Sequence, residues 1–418
     1  MRFAIAFLML AGLHSQPMRD PAQLVGAIRA KLRPMTQRLA NYACIETIDR
    51  NYYRNQDEPA SCKAATATKL QSTDRIRLEV TVSQGSELHS WPGATRFDTR
   101  SLDEIVTGGG PISAGAFATY LLDVFDNSGV TFHFTGESPA ALEFSFHVPI
   151  EASHYHVKVG TAWHATEYDG EFWVDPQSLE LQRLSIRTEA LPEATSMCET
   201  ATALEYHRVH IGDGDILLPS RGTLHIWMRN GRQDTNAIAF SDCREYQAES
   251  QLRFDAEGDG AATARLPVRA PLATTIGLPI VLALESAVDT DSAAAGDPIS
   301  AKVVKPVSRA GYANPVIPAG ATVRGRITRV EHHLLPTPFF LISISFNRLE
   351  LTGISSPFAA RLDRDDELAK QLGANVAPRG RGLESWDVGN FVFVTGKKRY
   401  VMPAGYESQW FTLATPPR

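Results

Sequence analysis

Leu142-Glu143-Phe144-Ser145-Phe146-His147-Val148 alternates apolar and polar side chains without a break, and that period of two decides the fold class. Successive side chains of an extended strand point to opposite faces, so Leu142, Phe144, Phe146 and Val148 share one face, ready to be buried. The same pattern recurs on both sides. Upstream, Ile76, Leu78, Val80 and Val82 alternate with Arg77, Glu79 and Thr81, and Val130, Phe132 and Phe134 alternate with Thr131 and His133. Downstream, strands are predicted near 154–160, 162–174, 180–188, 202–211, 216–229, 236–241 and 246–254, with turn signals at Asp175-Pro176-Gln177-Ser178, Asp213-Gly214-Asp215 and Asn230-Gly231. A mainly β, α+β fold follows: an antiparallel meander, half-barrel-like, in residues 16–255.

Two helices interrupt it. Asp20-Pro21-Ala22-Gln23 supplies a capping carboxylate, proline at the first helical position and glutamine three residues after the cap. Leu24, Ile28, Leu32, Met35 and Leu39 then recur on one helical face, and Pro34 is expected to kink or split the element. The second helix is predicted over Ser113–Phe125, where Phe117, Tyr120, Leu121, Val124 and Phe125 share a face.

Residues 256–271, AEGDGAATARLPVRAP, are small, glycine-rich and end in prolines, the composition of a linker. Beyond it, residues 272–418 return to strand periodicity at Ile280–Leu284, Ile299–Val303, Val323–Ile327, Ile342–Phe346 and Phe391–Val394, predicting a second, small all-β barrel domain. Its one helical candidate, Arg364–Leu372, is highly charged and reads as a solvated turn of helix. Val316-Ile317-Pro318-Ala319-Gly320 is echoed by Val401-Met402-Pro403-Ala404-Gly405, which predicts two similar turns between strands.

Residues 1–15, MRFAIAFLMLAGLHS, have the layout of a signal peptide: one arginine, an apolar run from Phe3 to Leu13, then a small residue. The run is shorter than the roughly twenty apolar residues of a membrane span, and no later segment supplies one, so the mature chain is expected to lack a transmembrane segment. No cysteine follows until Cys44, so release without a lipid anchor is expected, with a periplasmic or extracellular destination. Cys44, Cys62, Cys198 and Cys243 fit disulfides in an exported chain. Three pairings are possible. Proximity in sequence favours Cys44–Cys62 and Cys198–Cys243, for about 3 and about 4 kcal/mol of loop entropy. No two cysteines have the spacing of a zinc knuckle.

Lys+Arg 41 against Asp+Glu 47 leaves a formal charge of -6, which implies neither nucleic acid nor an anionic membrane as partner. The strings G-x-S-x-G and H-E-x-x-H and the phosphate-binding P-loop pattern are absent, so no catalytic or cofactor-binding residues are assigned. Gly108-Gly109-Gly110-Pro111 reads as a flexible connection. His154 and His156 share a strand face, and His164 on a neighbouring strand would complete a metal-binding trio; a solvated strand face produces the same pattern, and no metal ligand is assigned. His332 and His333 point to opposite faces of a strand and cannot chelate together. Trp91, Trp163, Trp173 and Trp227 read as core and rim, or as a platform for sugar or lipid.

The chain resembles a set of uncharacterised exported two-domain proteins typical of acidobacterial genomes, on Asn41-Tyr42-Ala43-Cys44-Ile45-Glu46-Thr47-Ile48-Asp49-Arg50, Tyr168–Asp175 and Ile216-Leu217-Leu218-Pro219. The helix followed by a long meander is similar to the half-barrels of periplasmic lipoprotein carriers, which implies a concave face for acyl chains. Gly296–Val303, Val316–Ile327 and Leu349-Glu350-Leu351 resemble the β-barrel domain of conjugal-transfer channel proteins of type IV secretion. Only the fold is implied there, because the inner-membrane helix and the proline-rich arm are absent and Arg364–Leu372 is charged. The sequence therefore favours an exported, non-enzymatic binding or envelope-assembly protein whose partner is an apolar ligand or an envelope component. A secreted hydrolase using carboxylates or a His-bound metal, and a purely structural envelope protein, are the alternatives.

Overall fold

The computed structural model describes residues 20–55, 62, 68–94, 96–106, 110, 112–246, 276–351, 354–363 and 388–414. The expected leader 1–15, residues 247–254 of the last strand predicted in the first module, the expected linker 256–271, the charged segment Arg364–Leu372, and Gly108, Gly109 and Pro111 lie outside the described residues.

Helix α1 (Pro21–Arg38) starts where the sequence places it, with the Asp20 carboxylate accepting the Ala22 N–H at 3.1 Å. Leu24, Ile28 and Leu32 are buried along one face. Pro34 neither splits nor ends the helix; it sits in the last turn, where its missing N–H removes a single rung. Twelve strands follow: β1 (Tyr42–Asn55), β2 (Thr68–Ser83), β3 (Ser86–Ser90), β4 (Thr131–Glu137), β5 (Leu142–Val148), β6 (His156–Val159), β7 (Ala162–Ala165), β8 (Tyr168–Val174), β9 (Leu181–Thr188), β10 (Met197–Ile211), β11 (Gly214–Met228) and β12 (Gln233–Glu245). Between β3 and β4 lie the short helices α2 (Leu102–Ile105) and α3 (Thr119–Phe125). The second helix is shorter than its apolar pattern predicts. Its capacity to extend upstream is lost because the backbone N–H groups of Gly115, Ala118 and Thr119 turn to the Glu87 carboxylate.

The first module is not one continuous meander. Pairings give the strand order β3-β2-β1-β12-β11-β10-β9-β8-β5-β4, all antiparallel. The chain thus leaves the sheet at β3, crosses to the far edge through residues 91–130, and winds back until β12 meets β1. That crossing carries α2 and α3 over one face. The predicted strand 162–174 is divided into β7 and β8, because Thr166 and Glu167 turn away: the Thr166 hydroxyl bonds Thr188 and the carbonyl of Ala190.

This topology corrects the disulfide pairing. Cys44 on β1 is bonded to Cys243 on β12, with Cα atoms 4.0 Å apart, and Cys62 to Cys198, with Cα atoms 5.5 Å apart. Pairing by sequence proximity fails because the first strand of the module lies against its last. The closed loops span 199 and 136 residues, so the chain-entropy contribution rises to about 5 kcal/mol each.

The second core is built from β13 (Pro279–Leu284), β14 (Val288–Asp289), β15 (Pro298–Val303), β16 (Thr322–His333), β17 (Phe339–Leu351), β18 (Ile354–Pro357), β19 (Ala360–Leu362), β20 (Val388–Val394), β21 (Val401–Met402) and β22 (Glu407–Thr412). Ile280, Leu282, Val323, Ile344, Phe346 and Trp410 fill its centre. Gly320 and Gly405, at φ +81° and +79°, end the two echoed pentapeptides in left-handed turns that a side chain would strain. Among the described residues the expected barrel does not close as one regular ladder: β18 pairs with β17 and β19 with β22, and between them the N–H of Phe358 bonds the carbonyl of Asn347 while the carbonyl of Ala359 accepts the N–H of Leu413, outside any strand. A closed barrel needs continuous pairing all round.

One sheet runs through both cores. Ser72, Thr73 and Asp74 of β2 pair with His333, His332 and Glu331 of β16, respectively. Beside this ladder, the N–H of Arg77 donates to the carbonyl of Ala295 and the N–H of Ala295 to that of Arg75, both at 2.8 Å.

Candidate functional site

The pleat places even-numbered residues of β1, β2, β11 and β12 on the concave face of the first module. One end of that face is filled. Phe144 and Phe172 stack with centroids 4.8 Å apart, Phe125 meets Phe172 edge-on at 5.1 Å, and Phe132 closes the group at 5.9 Å. A module filled throughout by its own aromatics would look like this everywhere. It does not: beside the phenylalanines a cavity of about 840 Å³ opens between the sheet, the crossing segment and the β6–β7 hairpin.

Its floor is apolar. Leu224, Ile226 and Met228 are successive inward residues of β11, and Met197, Tyr155, Val157, Ile112 and Leu102 continue the surface. Burial pushes the Tyr120 and Tyr155 hydroxyls up, so both remain neutral donors, Tyr120 beside the Ser113 hydroxyl at 2.7 Å and Tyr155 beside that of Thr200 at 2.9 Å. The volume falls within the 300–1,000 Å³ range typical of small-molecule sites.

The walls are polar and organised. Glu87 accepts the N–H groups of Gly115 and Ala118, both at 2.7 Å, and of Thr119 at 3.2 Å, so it fastens the crossing segment over the cavity. Behind it, His89 is buried 3.3 Å from Glu46 and 3.9 Å from Glu87. Burial pushes Glu46 up; His89 is also raised, because the two carboxylates outweigh its desolvation. Both shifts favour the protonated forms of the pair. Lys158 of β6 reaches Asp103 of α2 at 2.5 Å and lies 5.3 Å from the ring of Trp163, which joins the hairpin to the crossing segment.

The most ordered polar group is at the mouth. Asp123 on α3, its side chain only 3% exposed, accepts the Tyr168 hydroxyl at 2.6 Å and the ring Nδ1–H of His154 at 2.6 Å. The His154 backbone N–H points to the same carboxylate at 3.3 Å. His156 donates its own Nδ1–H to the His154 carbonyl at 2.8 Å. Each ring is thereby held in the tautomer that leaves Nε2 as an acceptor.

Of the residues singled out from the sequence, His154, His156 and Trp163 line this cavity. His164 does not join them: it stands opposite Val157 in the hairpin, whereas His156 stands opposite Ala165, so the two imidazoles lie on opposite faces. Among the described residues no group of three or more His, Cys, Asp or Glu is placed to hold a metal ion. Trp91 packs at the junction under Arg326, Trp173 carries the guanidinium of Arg183 at 4.9 Å, and Trp227 lies beside His225. His332 and His333 also sit at the junction, stacked on Phe340 and Phe339. Asp123 and Tyr168 were not visible as site residues, because their contacts with His154 and each other span 31 and 45 positions.

No family model and no curated protein matches the chain. Among solved structures, a domain described as an outer membrane lipoprotein-sorting protein domain from Vibrio parahaemolyticus is similar to it, with 12% identity over 56% of this chain and 95% of that one, and a TM-score of 0.28. At that score the likeness carries no weight for function. This likeness lends no support to the resemblance of residues 272–418 to channel β-barrels. Among the described residues, no helix is long and apolar enough to cross a membrane.

Proposed function

We propose that this chain is an exported binding protein whose first module, residues 16–255, holds an amphipathic, largely apolar ligand, and whose second module, residues 272–418, braces it or makes contact with an envelope component. The observation that carries the reading is the cavity of about 840 Å³ with the apolar floor Leu224, Ile226 and Met228 and a polar mouth. Apolar surface of that extent gains from leaving water, at roughly 25 cal/mol per Å² of ligand and wall covered. The polar mouth suits the head of a molecule whose tail lies on the floor. Two disulfides and the apolar leader support an oxidising, exported location.

A fluorescently labelled medium-chain fatty acid is the direct probe. Titrated into the purified chain it gains fluorescence saturably. Ile226→Trp, which fills the floor, weakens binding at least about tenfold, since excluding two methylenes costs about 0.8 kcal/mol each. Equal affinity in Ile226→Trp places the probe elsewhere and overturns the assignment.

A further inference from the structure

We propose that Asp123 and His154 form a general-base dyad that gives the cavity a hydrolytic activity toward carboxylic esters of the amphiphiles it holds. The inference rests on the binding reading above and adds chemistry to it.

Three separate elements meet to build this pair. Asp123 comes from α3, His154 from the segment before β6, and Tyr168 from β8. Two hydrogen bonds of 2.6 Å hold the carboxylate, one from the Tyr168 hydroxyl and one from the imidazole. A buried carboxylate on Nδ1–H fixes the tautomer, orients the ring and stabilises the imidazolium that forms when Nε2 takes a proton. The imidazole itself is 73% exposed and lines the cavity, so a bound ester and a water molecule have access to it. A purely structural ion pair has no need to leave its histidine at the mouth of an apolar cavity. Lys158, on the same hairpin, keeps two ammonium protons after its bond to Asp103 and is the cationic donor for charge on the ester carbonyl oxygen.

The step balances with water alone. His154 Nε2 takes a proton from water as the water oxygen bonds to the carbonyl carbon. The tetrahedral adduct then expels the alcohol oxygen, which receives that proton from the imidazolium. One ester and one water give one carboxylic acid and one alcohol, and the imidazole is restored.

The test uses the full chain with 4-nitrophenyl decanoate and 4-nitrophenyl butyrate. The dyad predicts faster cleavage of the decanoate than of the butyrate. His154→Gln lowers that rate by about 100-fold or more. Asp123→Asn lowers it as well, whereas His164→Gln, on the other face of the hairpin, retains it. A wild-type rate no greater than that of the unfolded chain overturns the proposal, as does full activity in His154→Gln or a loss shared equally by His164→Gln. Saturable binding of the labelled fatty acid to the wild-type chain, measured in parallel, reports on the cavity alone, so the two readings fail separately.

Discussion

Arg50 and Asp74 face each other across β1 and β2, joined by two hydrogen bonds of 2.7 and 2.8 Å, and the Tyr52 hydroxyl adds a third to the same carboxylate at 3.0 Å. Both side chains are almost wholly buried. Burial alone would lower the Arg50 guanidinium, but Asp74 overcomes it and holds the charge in place. Removing the carboxylate takes both of these salt-bridge hydrogen bonds from the buried guanidinium, so Asp74→Ala is expected to lose about 3–5 kcal/mol in urea unfolding; a loss below about 1 kcal/mol would contradict this. At this scale the sequence reveals residue types but not meetings. His154 could be singled out from its spacing to His156, whereas Asp123 looked like an ordinary polar residue of a short amphipathic helix. Cys44 and Cys243 likewise could not be matched, because their adjacency depends on which strands close the sheet.

Strands and helices were far more legible than their contacts. The period of two in Ile76–Val82 and Leu142–Val148 places those residues inside β2 and β5, and Asp20 caps α1 as its side chain demands. The failures are local competitions: Glu87 draws off the N–H groups that would have lengthened α3, and the Thr166 hydroxyl bonds break one predicted strand in two. One element carries a pH signature. On β16, burial would raise Glu331, but hydrogen bonds and charge from His333 and Arg329 pull it down to about 2 from an ordinary 4.5. A carboxylate lowered on folding stabilises the folded chain above its unfolded value, and that contribution fades as pH falls through about 2. The amount is on the order of 3 kcal/mol. Glu331→Gln is therefore expected to lose stability at pH 7 and to show a flatter decline between pH 5 and 2; parallel acid-unfolding curves for the two chains would contradict this.

For the whole molecule, composition and periodicity disclose two β-rich segments but not their union. The ladder between β2 and β16, and the bonds of Ala295 with Arg75 and Arg77, form between residues more than 200 positions apart and are made largely by backbone groups, which leave no trace in side-chain patterning. Nor does periodicity reveal that the concave face is filled only in part, since Phe144 and Leu224 obey the same alternation while one is packed and the other lines open space. That open space is what distinguishes a binding protein from a scaffold. Native mass spectrometry of the full chain purified without detergent tests it most directly. A bound species is expected that adds mass to the folded chain, is removed by organic extraction, and is identified as an amphiphile. A folded chain that emerges repeatedly free of any ligand, and takes none up from a lipid extract, would contradict it.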